Sequence, residues 1–284
     1  MTSHPAALPI SSGVDRVPAP PEHAVHTRDG AHSVAAAVAN DELRLRYQPI
    51  VRIKDRAVVA VEALVRWQHP TLGLLTPDRF FHAAHQSGHM PLLDQWVLQH
   101  ACEDMIELRG SLKGAAPIRV NVNISVPTLT TDLTELVTTT LKRTGLPARR
   151  LRLELNEGAD LDTLTRAGPH LETLTHSGIE VALDDMGAGA TDLRYLSHLA
   201  PRDIKIDKLF VAGMLISPRD HAIVTLLTDL ARRLRLRVAA EGVETAEQLA
   251  ALARIGVSYA QGYHLAPPLT LTDLTSTLSK GHSS

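Results

Sequence analysis

The sequence predicts an α/β fold, a (β/α)8 TIM-like barrel, from three observations. Two strand-like runs open the patterned region and six strand-then-helix beats follow, which makes eight strands. These strands are short and show little apolar–polar alternation beyond their arginines, the pattern of strands covered on both faces. Seven apolar stretches also carry or end in a polar residue that is costly to bury. A closed barrel gathers such residues from many strands at its C-terminal face, whereas an open sheet strings them along one edge.

The elements follow in order. Residues 1–30 are rich in Pro, Ala, Ser and His, lack an apolar period, and include Pro18-Ala19-Pro20-Pro21, which cannot continue a helix. They are expected to form a disordered leader ahead of one domain over 31–280. Leu43–Val51 and Ala57–Trp67 alternate like strands, and Lys54-Asp55-Arg56 reads as the turn of an antiparallel pair. Thr76 and Pro77 are a cap and first-turn proline that open a helix, and a second helix is expected over Leu92–Arg109. Strands are then predicted near Ile118–Ile124, Leu151–Leu155, Ile179–Leu183, Ile204–Ile206, Arg237–Ala240 and Val257–Ala260. Between them lie helical patterns at Leu129–Arg143, Leu161–Ser177, Asp192–Leu199, His221–Leu234 and Ala246–Ile255.

Composition narrows the function. The chain has 284 residues, 44% of them hydrophobic, and a formal net charge of -2, so it can bury a full core and carries no basic stripe for nucleic-acid polymer. Arg232, Arg233, Arg235 and Arg237, the densest basic stretch, read as a solvated face. Cys102 is the only cysteine, which excludes an intrachain disulfide. No signal-peptide pattern is evident, and no apolar run approaches the roughly 20 residues that span a bilayer. A cytoplasmic protein without a membrane span is the expectation. His82, His85 and His89 fall at helical spacing but lack acidic or thiol partners in sequence, and read as a surface face.

The polar residues carry the chemistry. Glu62, Asn123, Glu154 and Asp184 are hard oxygen donors, a set suited to Mg2+, Mn2+ or Ca2+. Asp185 follows Asp184 at once, so one carboxylate can bridge two ions about 4 Å apart, as two-metal phosphoryl-transfer sites require; an isolated pair would more often cap a helix. Lys205 lies inside Ile204-Lys205-Ile206, where an ammonium needs carboxylate neighbours. It reads either as a structural ion pair or as the group that orients or deprotonates an attacking water, with Asp207 near the second metal. Glu241, before Gly242, suits a water-mediated ligand or a general base. Gln261 suits a hydrogen bond to water or phosphate, or a satisfied core amide. Arg66 shares a strand face with Glu62 and suits a bidentate grip on phosphate or a salt bridge to a barrel carboxylate.

From His32 to Leu278 these residues fall into eight motifs that, in order, resemble the EAL domains, phosphodiesterases of the bacterial second messenger cyclic di-GMP. The motifs are Tyr-Gln-Pro-Ile-Val at 47–51, Glu-Ala-Leu-Val-Arg-Trp-Gln-His-Pro at 62–70, Asn-Ile-Ser at 123–125 and Glu-Leu-Asn-Glu at 154–157. Asp-Asp-Met-Gly-Ala-Gly at 184–189, Ile-Lys-Ile-Asp at 204–207, Glu-Gly-Val-Glu at 241–244 and Gln-Gly-Tyr at 261–263 complete the set. The resemblance implies a barrel whose first strand runs antiparallel, and hydrolysis of one phosphodiester bond to give linear pGpG. It implies Glu62, Asn123, Glu154 and Asp184 as ligands of a first metal, and Asp184 and Asp185 as ligands of a second, with Asp207 and Glu241 near it. Lys205 and Gln261 match groups around the attacking water, and Glu157 the glutamate that holds the Asp-Asp loop. Gln48, Leu64 and Arg66 match substrate contacts, and Tyr263 a position near a base. Two Mg2+ or Mn2+ ions are implied as cofactors, with Ca2+ inhibitory because its looser coordination blurs the geometry.

Several positions depart from the family pattern. Met186 and Ala188 replace the usual Phe and Thr of the Asp-Asp loop, Ala190, Thr191 and Asp192 replace Tyr-Ser-Ser, Asn156 replaces Thr, His85 replaces an acidic residue, and Pro267–Pro268 replaces Arg-Pro. None removes a direct ligand. The main alternative is a catalytically weak EAL domain that binds cyclic di-GMP or a protein; a more distant one is a barrel enzyme that abstracts a proton with a lysine base. With no sensor, cyclase or receiver segment ahead of the barrel, regulation is expected from partners, from expression, or from homodimerisation through loops beside the Asp-Asp segment.

Overall fold

The protein is described by a computed structural model covering residues 33–112, 118–156, 158–187, 196, 199 and 201–281. The leader 1–30, Glu157, Ala188 and, but for Leu196 and Leu199, the helix expected at Asp192–Leu199 lie outside the described residues.

After a short helix, α1 (Val34–Ala39), strands β1 (Leu43–Arg52) and β2 (Val58–His69) form the expected antiparallel pair, in register from Leu43 opposite Trp67 to Ile50 opposite Ala60, with a shift before Val51 meets Val58. A three-residue strand, β3 (Gly73–Leu75), folds back on β2 outside the ring. Helices α2 (Pro77–Gln86) and α3 (Met90–Ser111) lead to β4 (Arg119–Ile124). Then follow β5 (Leu151–Asn156), β6 (Glu180–Met186), β7 (Asp203–Ile206), β8 (Arg237–Ala240) and β9 (Tyr259–Ala260). From β2 through β4 to β9 each neighbouring pair is parallel, and β1 closes the ring by pairing antiparallel with both β9 and β2. The result is the predicted eight-stranded barrel with an antiparallel first strand.

Differences from the sequence expectation have local causes. The helix expected over Leu129–Arg143 is two, α4 (Val126–Leu129) and α5 (Leu133–Thr144), because the Asp132 carboxylate accepts from Glu135 N at 2.9 Å and starts a new helix. Helix α6 (Leu161–His176) starts under an Asp160 cap. A six-residue helix, α7 (Lys208–Gly213), follows Asp207, and α8 (Pro218–Leu234) begins earlier than expected, with Ser217 as cap and Pro218 in its first turn. Helix α9 (Ala246–Ile255) has a Thr245–Gln248 capping box, and α10 (Leu271–Gly281) continues the pattern past the last strand.

Strand periodicity sorts the side chains into two sets. Val120, Val122, Leu153, Leu155, Val181, Leu183, Ile204 and Ile206 are buried with Leu133, Val137, Leu164, Leu174 and Val224 of the surrounding helices, so the apolar core lies between strands and helices. The alternate positions meet inside the ring and are largely polar. At its lower end Arg152 Nη2 lies 2.6 Å from Glu180 Oε2 and 3.2 Å from Asp203 Oδ2, and Arg237 Nη2 lies 2.6 and 2.7 Å from the same two oxygens. Burial pushes the Glu180 carboxyl up, but the two guanidiniums overcome it and hold it at about 2. Arg237, expected on a solvated face, thus belongs to a half-buried ion network, whereas Arg232 stays exposed beside Asp229.

Candidate active site

The upper rim is built from strand ends. Glu62 comes from β2, Asn123 from β4, Glu154 from β5, Asp184 from β6 and Lys205 from β7, while Glu241 and Gln261 directly follow β8 and β9. The Lys205 ammonium is 2% exposed and stands among four carboxylates: Glu241 at 2.5 Å, Glu154 at 2.9 Å, Asp184 at 3.1 Å and Glu62 at 3.3 Å. One cation therefore faces four acids. Burial disfavours the charge on Lys205, but the surrounding acids outweigh it and hold its pKa well above the ordinary lysine value. A lysine so held is an ammonium donor.

The acids divide unequally. Burial pushes Glu62 up, but Lys205, Gln261 and Asn123 prevail and keep it below its ordinary value. Burial also pushes up Glu154, to about 8, and raises Asp184 and Glu241, and their mutual repulsion limits what Lys205 can recover. Burial, then the neighbouring Asp184, raises Asp185 to about 6. An excess of negative charge that one lysine cannot neutralise is the electrostatic condition that a divalent cation relieves.

Geometry agrees with charge. Carboxylate oxygens of Glu62, Glu154 and Asp184 lie within 4.8 Å of one another, and so do those of Asp184, Asp185 and Glu241. Asp184 is common to both groups. The donors are all oxygens, which fits Mg2+ or Mn2+. Asp185 is turned toward this position by a left-handed backbone, φ 55°, and its N–H donates to Asp184 Oδ1 at 2.9 Å. Gly187 permits the next bend at φ 97°, where a Cβ would come within 2.7 Å of Phe210 Cε2.

Most residues singled out in the sequence meet here. Asn123 Nδ2 donates to Glu62 Oε1 at 2.8 Å, and Gln261 Nε2 donates to Glu62 Oε2 at 2.8 Å and to Gln48 Oε1 at 2.9 Å. Gln48 in turn donates to the Ala266 carbonyl, so its amide braces Gln261. Asp207 stands outside both carboxylate groups. It caps α7, accepting from Leu209 N at 2.6 Å, and lies beside Asp185, whose proton it helps retain. Arg66 is half-buried and bonds the Val65 carbonyl, and Tyr263 near it is 70% exposed. A cavity of about 700 Å³ opens above the acids. Glu62, Asn123, Asp184, Asp185 and Glu241 line its floor, and Leu64, Phe81, Met90 and Leu93 an apolar wall. Glu157, expected to hold the Asp-Asp loop, lies outside the described residues.

Two contributors escaped the sequence reading. Lys208 brings a second cation to the cavity. Asn121, 1% exposed, donates to Glu154 Oε1 at 2.6 Å; its position two residues before Asn123, on the same strand face, was the available signal.

Comparison with known proteins agrees with this geometry. The EAL domain family profile matches residues 31–268. The chain is 40% identical over 239 residues to a Pseudomonas aeruginosa protein named cyclic di-GMP phosphodiesterase NbdA, covering 84% of this chain and 30% of that protein. It is 36% identical over 242 residues to an uncharacterized Mycobacterium tuberculosis protein, covering 84% of this chain and 78% of that one. The solved structure of the PaMucR phosphodiesterase in complex with c-di-GMP superposes with a TM-score of 0.80 at 34% identity, covering 86% of this chain and 98% of that one.

Proposed function

Because this chain belongs to the EAL domain family, we propose that it hydrolyses cyclic di-GMP to linear pGpG with two divalent metal ions. The observation that carries the proposal is Asp184, whose carboxylate belongs both to the group with Glu62 and Glu154 and to the group with Asp185 and Glu241. A shared carboxylate between two oxygen-donor sets is what a two-metal site needs.

Glu62, Asn123, Glu154 and Asp184 would hold one Mg2+ or Mn2+. Asp184 and Asp185, with Glu241 and Asp207 beside them, would hold a second. Ions bound there supply a nucleophile from water near neutral pH and neutralise charge building on the phosphoryl oxygens. The protein's own groups do the rest. Lys205, as an ammonium, keeps the four carboxylates converged. Gln261 fixes Glu62 Oε2 and is itself held by Gln48. Arg66 lies four residues along the strand from Glu62, where its guanidinium suits a phosphate oxygen. The wall formed by Leu64, Phe81 and Met90 excludes water and offers apolar surface to a nucleobase, and Tyr263 offers a ring beside Arg66. Glu157 keeps its proposed role of holding the Asp-Asp loop. Among the described residues no helix is long and apolar enough to cross a membrane.

Purified protein given cyclic di-GMP and Mn2+ is expected to release pGpG, and chelation or Ca2+ to stop it. Binding of cyclic di-GMP with no pGpG after long incubation in Mn2+ would establish a binding module instead.

A further inference from the structure

We infer that Asn121 is a positioning residue for the metal-binding carboxylate of Glu154, and that one buried water joins it to Arg152. The inference rests on the proposal above only in taking Glu154 as a metal ligand.

The two oxygens of Glu154 have separate duties. Oε1 accepts from Asn121 Nδ2 at 2.6 Å, and Oε2 accepts from Lys205 Nζ at 2.9 Å. With Oε1 tied to β4, the carboxylate cannot rotate, and Oε2 stays on the side of Asp184 and Glu62. Asn121 acts through this bond alone, since it is 1% exposed and does not line the cavity. The bond also fixes the amide's sense. With Glu154 ionised, as a metal ligand is, a turned amide would set Oδ1 against the carboxylate oxygen, acceptor against acceptor.

In that sense Asn121 Oδ1 points away from Glu154 and is buried without a hydrogen-bond partner. Its register partner across the β4–β5 pair is Arg152, whose Nε is likewise buried without a partner. One atom is an acceptor and the other a donor, on neighbouring strands, in the polar interior between the upper acids and the lower arginine network. Unpaired buried groups are expensive, and a buried water with two to four polar partners is their usual remedy. A water here satisfies both atoms and ties Asn121, and through it Glu154, to an arginine that Glu180 and Asp203 already hold still.

The test is Mn2+ affinity measured by calorimetry without nucleotide, on the full chain and on Asn121→Ala, Asn121→Asp and Asn121→Ser. Positioning predicts that the Mn2+ dissociation constant rises about 10–100-fold in the Ala and Asp variants, and less in Ser, whose hydroxyl still donates. At saturating Mn2+ the KM for cyclic di-GMP should stay within about twofold, because ground-state contacts to the nucleotide are untouched. Folded Ala and Asp variants that bind Mn2+ as tightly as the parent would overturn the inference. If the variants do not fold, a high-resolution structure of the unsubstituted protein decides. A water within hydrogen-bond distance of both Asn121 Oδ1 and Arg152 Nε supports it, and a dry gap or an amide turned from Glu154 refutes it. A parent protein that binds Mn2+ but leaves cyclic di-GMP intact would sink the phosphodiesterase proposal while leaving the affinity comparison decisive for Asn121.

Discussion

Replacing Lys205 by Met removes the cation that, among the described residues, bridges Glu62, Glu154, Asp184 and Glu241, while keeping a chain of similar length. In a chelator, the four acids then lose the ammonium that contacts all of them, and they relax chiefly by taking up protons. Keeping one further carboxyl protonated at pH 7, against an ordinary value of 4.5, costs about 1.4 kcal/mol for each of roughly 2.5 pH units, or ~3.4 kcal/mol. That agrees with the about 3–5 kcal/mol lost when a buried ion pair is broken. For a domain of this size ~3.4 kcal/mol corresponds to a melting temperature lower by about 7–14 °C. The pH dependence has a definite sign. A carboxyl whose folded pKa is raised destabilises the fold as pH climbs above its unfolded value, so the gap between Lys205→Met and the parent should shrink as pH falls toward 4.5 and widen toward 7. Mn2+ at about 100 times its dissociation constant should return about 2.7 kcal/mol to whichever protein binds it. The assay is thermal unfolding of both proteins across pH 5–8 in chelator and in Mn2+. Equal melting temperatures in chelator at pH 7 would refute the view that Lys205 neutralises the acids.

Further outcomes follow from other parts of the barrel. Glu180→Gln should cost about 3 kcal/mol by leaving Arg152 and Arg237 underpaired. Because the Glu180 pKa is depressed to about 2 from 4.5, that contribution is full above 4.5 and lost as pH falls through 2, so the gap between the urea midpoints of parent and variant should be full at pH 7, smaller at pH 3 and closed only below 2. Gly187→Ala places a Cβ 2.7 Å from Phe210 Cε2 at φ 97° and should weaken Mn2+ binding by displacing Asp185, with Phe210→Leu restoring only part because the backbone strain persists; calorimetry reads both. Arg66→Ala should raise the KM for cyclic di-GMP by about tenfold with little change in Mn2+ affinity, the signature of a lost phosphate contact.

How far the sequence speaks depends on what burial costs. Glu62, Glu154, Asp184 and Lys205 announced themselves because a charge inside an apolar strand demands a partner, and the partners proved to be one another. Asn121 gave a fainter signal because a neutral amide is less expensive to bury, and its bond to Glu154 depends on a register between β4 and β5 that no local pattern encodes. Arg237 was misjudged for a related reason: its neighbours Arg232, Arg233 and Arg235 suggested solvent, while its partners Glu180 and Asp203 come from strands far away in sequence. The short elements β3 and α7 have three and six residues, too few for an apolar period to be distinguishable from chance. Gln48, matched to the substrate by resemblance, also accepts from Gln261 and donates to the Ala266 carbonyl, a bracing role visible only once β1 and the residue after β9 are side by side.

Diffraction from crystals grown with cyclic di-GMP and soaked in Mn2+ tests the central claim most directly, since anomalous scattering locates the metal without assumption. Two peaks are expected on either side of the Asp184 carboxylate, one facing Glu62 and Glu154 and the other facing Asp185. Peaks elsewhere, or none at all with cyclic di-GMP in the cavity, would contradict the account.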